Sequence, residues 1–118
     1  MEENTAKYKS KKFAIQVIEL YKFLVDKKKE FVLSKQILRS GTSIGANLAE
    51  AECAISKKDF LAKVYISLKE CSETLYWLEL LKDTDFLPAE LFNQINEKCL
   101  ELKKMLSATV KTMKAKIK

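Results

Sequence analysis

Between residues 61 and 78 the apolar side chains alternate at spacings of three and four: Leu61, Val64, Leu68, Cys71, Leu75 and Leu78. Such a row stays on one side of a helix and forms the seam by which helices pack nearly parallel to one another. A lone helix cannot bury its own stripe, so the chain must supply partners. Phe13, Val17, Leu20 and Leu24 recur at four, three and four residues, with Ala14, Ile18, Tyr21 and Val25 in a row beside them. They predict a helix over about 10–29. Ile37, Gly41, Ile44, Leu48, Ala51 and Ile55 stay within about 80° of arc and predict another over about 33–54. Leu91, Ile95, Leu102, Leu106, Thr109 and Met113 share a phase over about 88–114.

Local chemistry sets the boundaries. Ser56-Lys57-Lys58-Asp59 places a hydroxyl at an N-cap and a carboxylate three residues on, a variant capping box, so the helix carrying the seam spans about 57–82. Pro88 suits the first turn of the last helix, where its missing N–H costs nothing. The first boundary is the least marked. Lys27-Lys28-Lys29-Glu30 contains neither Gly nor Pro, and Phe31 keeps phase with Phe13, so one continuous helix from 10 to 55 also fits the pattern. Its length against ordinary helices favours a break within 26–32. The 118 residues hold two Gly and one Pro, too few for the turns of an all-β fold. The expectation is a single all-α domain over 1–118, an antiparallel up-down-up-down four-helix bundle.

Exclusions narrow the function. His is absent, which removes the commonest general acid/base and the commonest metal ligand. A di-metal carboxylate bundle needs Glu-x-x-His motifs, and none exists. Cys53, Cys71 and Cys99 form no C-x-x-C pair and have no zinc spacing; they read as reduced thiols at core or interface positions. Gly41 and Gly45 lie inside a predicted helix, so no glycine loop cradles phosphate. The sequence points to no enzyme, no metal and no cofactor. The polar, acidic start, Met1-Glu2-Glu3-Asn4, is unlike a signal peptide, and no apolar run could span a bilayer; a cytoplasmic protein with no membrane partner is expected.

Charge is uneven. The formal net charge is +6, and Glu101 is the last acid in the chain. Lys7, Lys9, Lys11 and Lys12 precede the first predicted helix; Lys111, Lys114, Lys116 and Lys118 end the last. In an up-down-up-down bundle both termini lie at one end, so the two groups are expected to converge into one basic surface suited to phosphate. Lysine supplies point charge without base readout, so binding would be salt-sensitive and sequence-independent. The competing reading is that lysines at helix ends stabilise dipoles and aid solubility. Arg39 is the only arginine, few for a dedicated nucleic-acid binder.

The second helix carries two unusual features. Gly41 and Gly45 each cost about 1 kcal/mol of helix propensity against Ala, which makes sense where another backbone comes close. Arg39, Ser43, Asn47 and Glu50 form a polar stripe roughly opposite the apolar one, flanked by the small Ala46, Ala49 and Cys53. That stripe is a solvated face, a hydrogen-bonded subunit interface or the lining of a ligand surface.

The run from Phe31 to Ala51, with its core Arg39-Ser40-Gly41-Thr42-Ser43-Ile44-Gly45-Ala46-Asn47-Leu48-Ala49-Glu50, resembles the signature of the bacterial 23S rRNA intervening sequence proteins. Ile55-Ser56-Lys57-Lys58-Asp59-Phe60 and the stretch from Leu68 to Leu81 resemble it too, and the similarity covers most of 10–110. Ala51 stands where many members have Gly. The resemblance implies four-helix-bundle subunits in a ring-like homopentamer. It extends to the accessory variability determinant proteins of diversity-generating retroelements, basic pentamers that bind nucleic acid and partner with a reverse transcriptase. It transfers no catalytic role. The resulting expectation is a homo-oligomer, pentameric by the resemblance, that binds RNA or DNA non-specifically. The alternative is a scaffold or adaptor for an unidentified protein partner, with no nucleic-acid role.

Overall fold

The computed structural model describes residues 2–117. A 3₁₀ turn, Glu2–Asn4, leads into four helices: α1 Ala6–Asp26, α2 Leu33–Ala51, α3 Lys57–Asp83 and α4 Ala89–Ile117. Each packs on its sequence neighbour and α1 closes against α4, giving an up-down-up-down bundle of 48 × 26 × 21 Å. No strand occurs among the described residues. None of the helices is long and apolar enough to cross a membrane.

The core takes Phe13, Val17, Leu20 and Leu24 from α1, Ile37, Ile44 and Leu48 from α2, Val64, Cys71, Leu78 and Leu81 from α3, and Ile95, Cys99, Leu102 and Leu106 from α4. In α3 the buried row is rotated relative to the leucine seam. Val64, Ser67, Cys71, Thr74, Leu78 and Leu81 are buried, while Leu61, Leu68 and Leu75 are half-buried. Two hydroxyls therefore sit inside, and both are bonded. Ser67 donates to the Ile44 carbonyl, and the Thr74 hydroxyl donates to Ser40 Oγ at 2.9 Å. Small hydroxyls satisfied in this way let α2 and α3 approach closely without a buried-polar penalty.

α1 starts four residues before the expected position. Thr5 is its N-cap, and the Thr5 hydroxyl accepts from the Tyr8 N–H at 3.1 Å. α1 stops at Asp26, and Lys29 enters the left-handed region at φ 54, which turns the chain. The Glu30 N–H then donates to the Leu24 carbonyl at 3.0 Å. The Glu30 carboxylate accepts N–H bonds from Ser34, Leu33 and Val32 at 2.7, 3.0 and 3.3 Å. It covers donors that the first turn of α2 would otherwise leave orphaned. α2 ends at Ala51, three residues earlier than expected, in a tight turn closed by Cys53 N–H to Glu50 C=O and Ala54 N–H to Ala51 C=O.

The two glycines face α1. A Cβ on Gly41 would lie 2.7 and 2.8 Å from the two γ-methyls of Val17, and one on Gly45 would lie 3.1 Å from Ser10 Oγ. Close helix packing is thus what these glycines permit.

The helices are also staggered. Lys9 Nζ meets Glu101 Oε2 at 2.5 Å, so the first turns of α1 lie level with residue 101 of α4. The last dozen residues of α4 extend about 15–20 Å past the start of α1. Lys63 of α3 meets Glu50 near the end of α2 at 3.0 Å, so α3 also starts beyond α2. At this end α3 and α4 project as an antiparallel pair.

Candidate functional site

Lys7, Lys9, Lys11 and Lys12 all lie within α1; the Thr5 cap starts the helix early enough to take in Lys7 and Lys9, and Lys11 and Lys12 fall inside the range expected for it. Lys7 Nζ pairs with Glu52 Oε2 at 2.9 Å, Lys9 pairs with Glu101, and Lys12 Nζ stands 5.6 Å from the Tyr8 ring centroid. Lys11 is exposed. The hydrogen bond from Lys9 lowers the pKa of the Glu101 carboxyl. Lys111, Lys114 and Lys116 are exposed on the last turns of α4, and Lys118 lies outside the described residues.

The expected convergence of the two groups is corrected by the stagger. Lys111 sits ten residues beyond Glu101, about 15 Å further along the α4 axis and beyond a Debye length of about 8 Å. The α1 lysines and α4 lysines share an end of the bundle without forming one patch.

The α4 lysines are joined instead by the start of α3. Lys58, Leu61, Ala62, Tyr65 and Lys114 line a shallow cleft there. Lys114 Nζ and Lys69 Nζ stand 5.9 and 6.0 Å from the Tyr65 ring centroid. The dipole argument divides these charges. Lys114 and Lys116 in the last turn of α4 are favoured by it, but Lys57 and Lys58 occupy the first turn of α3, the positive end, where lysine is disfavoured. Helix stability therefore accounts for only part of the basic end. Sequence reasoning placed Lys57 and Lys58 in a helix cap and not in the basic surface, and did not single out Lys69 or Tyr65. The available signal was the i, i+4 spacing of Tyr65 and Lys69 on a polar face.

The polar stripe of α2 does not stand opposite the core facing only water. Its long side chains lean across to α3. Arg39 pairs with Glu73 and reaches Glu70 Oε1 at 3.8 Å, and Glu50 pairs with Lys63. Ser43 donates to the Arg39 carbonyl at 2.6 Å and Asn47 Nδ2 to the Ser43 carbonyl at 2.8 Å. Trp77 Nε1 donates to Glu73 Oε2 at 3.0 Å, extending the network along α3. The residues missed here, Glu70, Glu73 and Trp77, follow helical spacing on a single face.

Glu70 is the uncomfortable member. Its Oε1 is buried without a hydrogen-bond partner. Desolvation, and then the neighbouring Glu73 charge, raise its pKa against the pull of Arg39. A carboxyl with a raised folded pKa binds its proton more tightly in the folded state, so folding gains stability as pH falls through that pKa. Glu70→Gln is accordingly expected to raise the melting temperature at pH 7, with the advantage over the unsubstituted chain shrinking toward pH 4. A substitution that lowers the melting temperature at pH 7 would mean that the Arg39 contact outweighs desolvation.

No group of three or more metal-ligating side chains occurs among the described residues. Cys71 and Cys99 are buried free thiols; Cys53 is exposed in the α2–α3 link, outside the core.

No curated protein matches the chain. Its fold is closely similar to the crystal structure of a protein of unknown function from the S23 ribosomal protein family of Bacteroides thetaiotaomicron VPI-5482. The two share 53% sequence identity at a TM-score of 0.90, over 91% of this chain and 99% of that one. Neither that description nor the matching family's names an enzymatic activity. The family model for the 23S rRNA-intervening sequence protein matches residues 2–108. With that match over nearly the whole helical bundle, the chain belongs to the 23S rRNA-intervening sequence protein family.

Proposed function

We propose that the chain is a non-enzymatic, cytoplasmic, homo-oligomeric bundle protein that binds RNA or DNA without sequence preference. The supporting observation is the projecting α3–α4 end. Lys111, Lys114 and Lys116 are exposed there beside Lys57 and Lys58, and Asp59 is the only acid in residues 57–69 and 102–117. Asp59 is itself engaged, accepting the Ile55 N–H at 3.2 Å. An oligomer sums these fields, and a pentamer is the state the family resemblance implies. Phosphate neutralisation by such lysines carries affinity and leaves sequence unread.

The test is light scattering after size exclusion with and without a structured RNA, followed by binding titrations across salt. The expected outcome is an oligomer that co-elutes with RNA at low salt and releases it as salt rises. Replacing Lys111, Lys114 and Lys116 together by Gln should flatten the slope of log K against log salt by roughly 2–3 units. Unchanged affinity and slope would remove these lysines from the interface. An oligomer indifferent to RNA at low salt would overturn the proposal in favour of a protein scaffold.

A further inference from the structure

We infer that Tyr65 is a base-stacking platform for single-stranded nucleic acid, with Lys58, Lys69 and Lys114 holding the phosphates on either side of the stacked base. The inference rests on the nucleic-acid reading above and adds the strandedness of the ligand and the residue that senses it.

Four observations carry it. Tyr65 lies on the outer side of α3, away from the core, and keeps 46% of its surface in water. Two ammonium groups from different helices, Lys69 on α3 and Lys114 on α4, stand within about 6 Å of its ring centroid. The cleft beside it is lined by Lys58, Leu61, Ala62 and Lys114, with no carboxylate among them. Small Ala62, one turn before Tyr65, leaves the ring approachable from the Lys58 side. An aromatic face bordered by lysines and free of acid is complementary to a base with its flanking phosphates. Single strands offer exposed base faces and stack on such rings, whereas a duplex keeps its bases paired and stacked. An acidic peptide would satisfy the lysines and leave the ring without a planar partner. When a strand binds, Lys69 and Lys114 move from the ring to the phosphates, and the base takes the vacated face.

The test is fluorescence anisotropy at low salt with three labelled probes of equal length: a single-stranded DNA, its duplex, and a strand of abasic sites carrying the same phosphates. Tyr65→Leu should weaken the single strand by about 5- to 150-fold, the range for one stacked base, and leave the abasic strand unchanged. Tyr65→Phe should bind the single strand like the unsubstituted protein. Lys114→Gln should weaken all three probes and lower the single-strand salt slope by about 0.7. Thermal melts of each variant check that the fold persists. If Tyr65→Leu binds the single strand undiminished, or loses the abasic strand equally, the stacking inference is overturned while the lysine interface stands. If the unsubstituted protein binds none of the probes, both readings fail together.

Discussion

Glu30→Ala is expected to destabilise the bundle by about 2–4 kcal/mol, the largest loss from any single truncation outside the apolar core. The Glu30 side chain sits where α1 turns into α2, and the residue is only 8% exposed. Its two carboxylate oxygens accept three backbone N–H groups, from Val32, Leu33 and Ser34. An ordinary N-cap satisfies one such donor for about 1 kcal/mol. Here the acceptor is a full charge at the positive end of a 19-residue helix, which strengthens each bond and adds the dipole interaction. Alanine leaves the Ser34 N–H, the shortest and most buried of the three, without its acceptor. Glu30→Gln retains one acceptor oxygen and loses the charge, so it should fall between the two. Urea unfolding followed by circular dichroism measures all three chains. A Glu30→Ala loss below about 0.5 kcal/mol would show that water replaces the carboxylate without cost, and that the α1–α2 turn is held by packing alone.

Helix number, order and most of the apolar rows of α1, α2 and α4 were legible because periodicity is a property of the sequence itself; among the exceptions are Ile55, which lies past the end of α2 and is 94% exposed, and the end of α4, where Val110 is buried and Thr109 and Met113 only half-bury. Phe13, Val17, Leu20 and Leu24 are buried in α1, and Ile37, Gly41, Ile44, Leu48 and Ala51 in α2, each set joined by serines that hydropathy does not mark: Ser10 in α1, Ser34 and Ser40 in α2. In α3 the hydropathy pattern pointed about one residue off. Its leucines at 61, 68 and 75 only half-bury, and Ser67 and Thr74 go inside. Hydropathy treats a hydroxyl as polar, but Ser67 and Thr74 each have a bonding partner on α2, a long-range fact that no local window contains. Glu30 was hidden for the same reason. In sequence it closes a charged run that looks solvated, and only the left-handed Lys29 folds its carboxylate back over the start of α2.

The candidate site was legible in kind and not in place. Charge counting located lysines at the two termini, but the relative height of the helices decides which of them meet. That height is set by loop geometry and side-chain interlock. The Lys9–Glu101 pair fixes α1 low against α4, strands Lys111 and its successors beyond it, and leaves the start of α3 as their neighbour. The stripe from Arg39 to Glu50 was likewise found by spacing, while its partners Glu70, Glu73 and Lys63 depend on the rotation of α3 about its axis.

Gly41→Ala sets two physical effects against each other, and packing is expected to win. Helix propensity alone favours alanine by about 1 kcal/mol. The added Cβ, however, would stand 2.7 and 2.8 Å from the γ-methyls of Val17, about an ångström inside ordinary contact. Val17 is completely buried and β-branched within a helix, so it has essentially one χ1 rotamer and cannot swing aside. Relief requires α1 and α2 to separate, which loosens contacts along the whole seam. The net expectation, with the propensity gain already set against that cost, is a loss of about 1–3 kcal/mol. Gly45→Ala meets only the Ser10 hydroxyl at 3.1 Å, a smaller intrusion, and should be neutral within about 0.5 kcal/mol because propensity offsets it. Val17→Ala removes the obstructing methyls at the cost of a cavity. In its presence Gly41→Ala should turn from destabilising to stabilising, since the new methyl then fills space that Val17 vacated. A double-mutant cycle by chemical unfolding reads this sign change directly. If Gly41→Ala is equally harmful with and without Val17, the glycine answers to backbone approach rather than to this side chain, and the α1–α2 distance is fixed elsewhere in the seam.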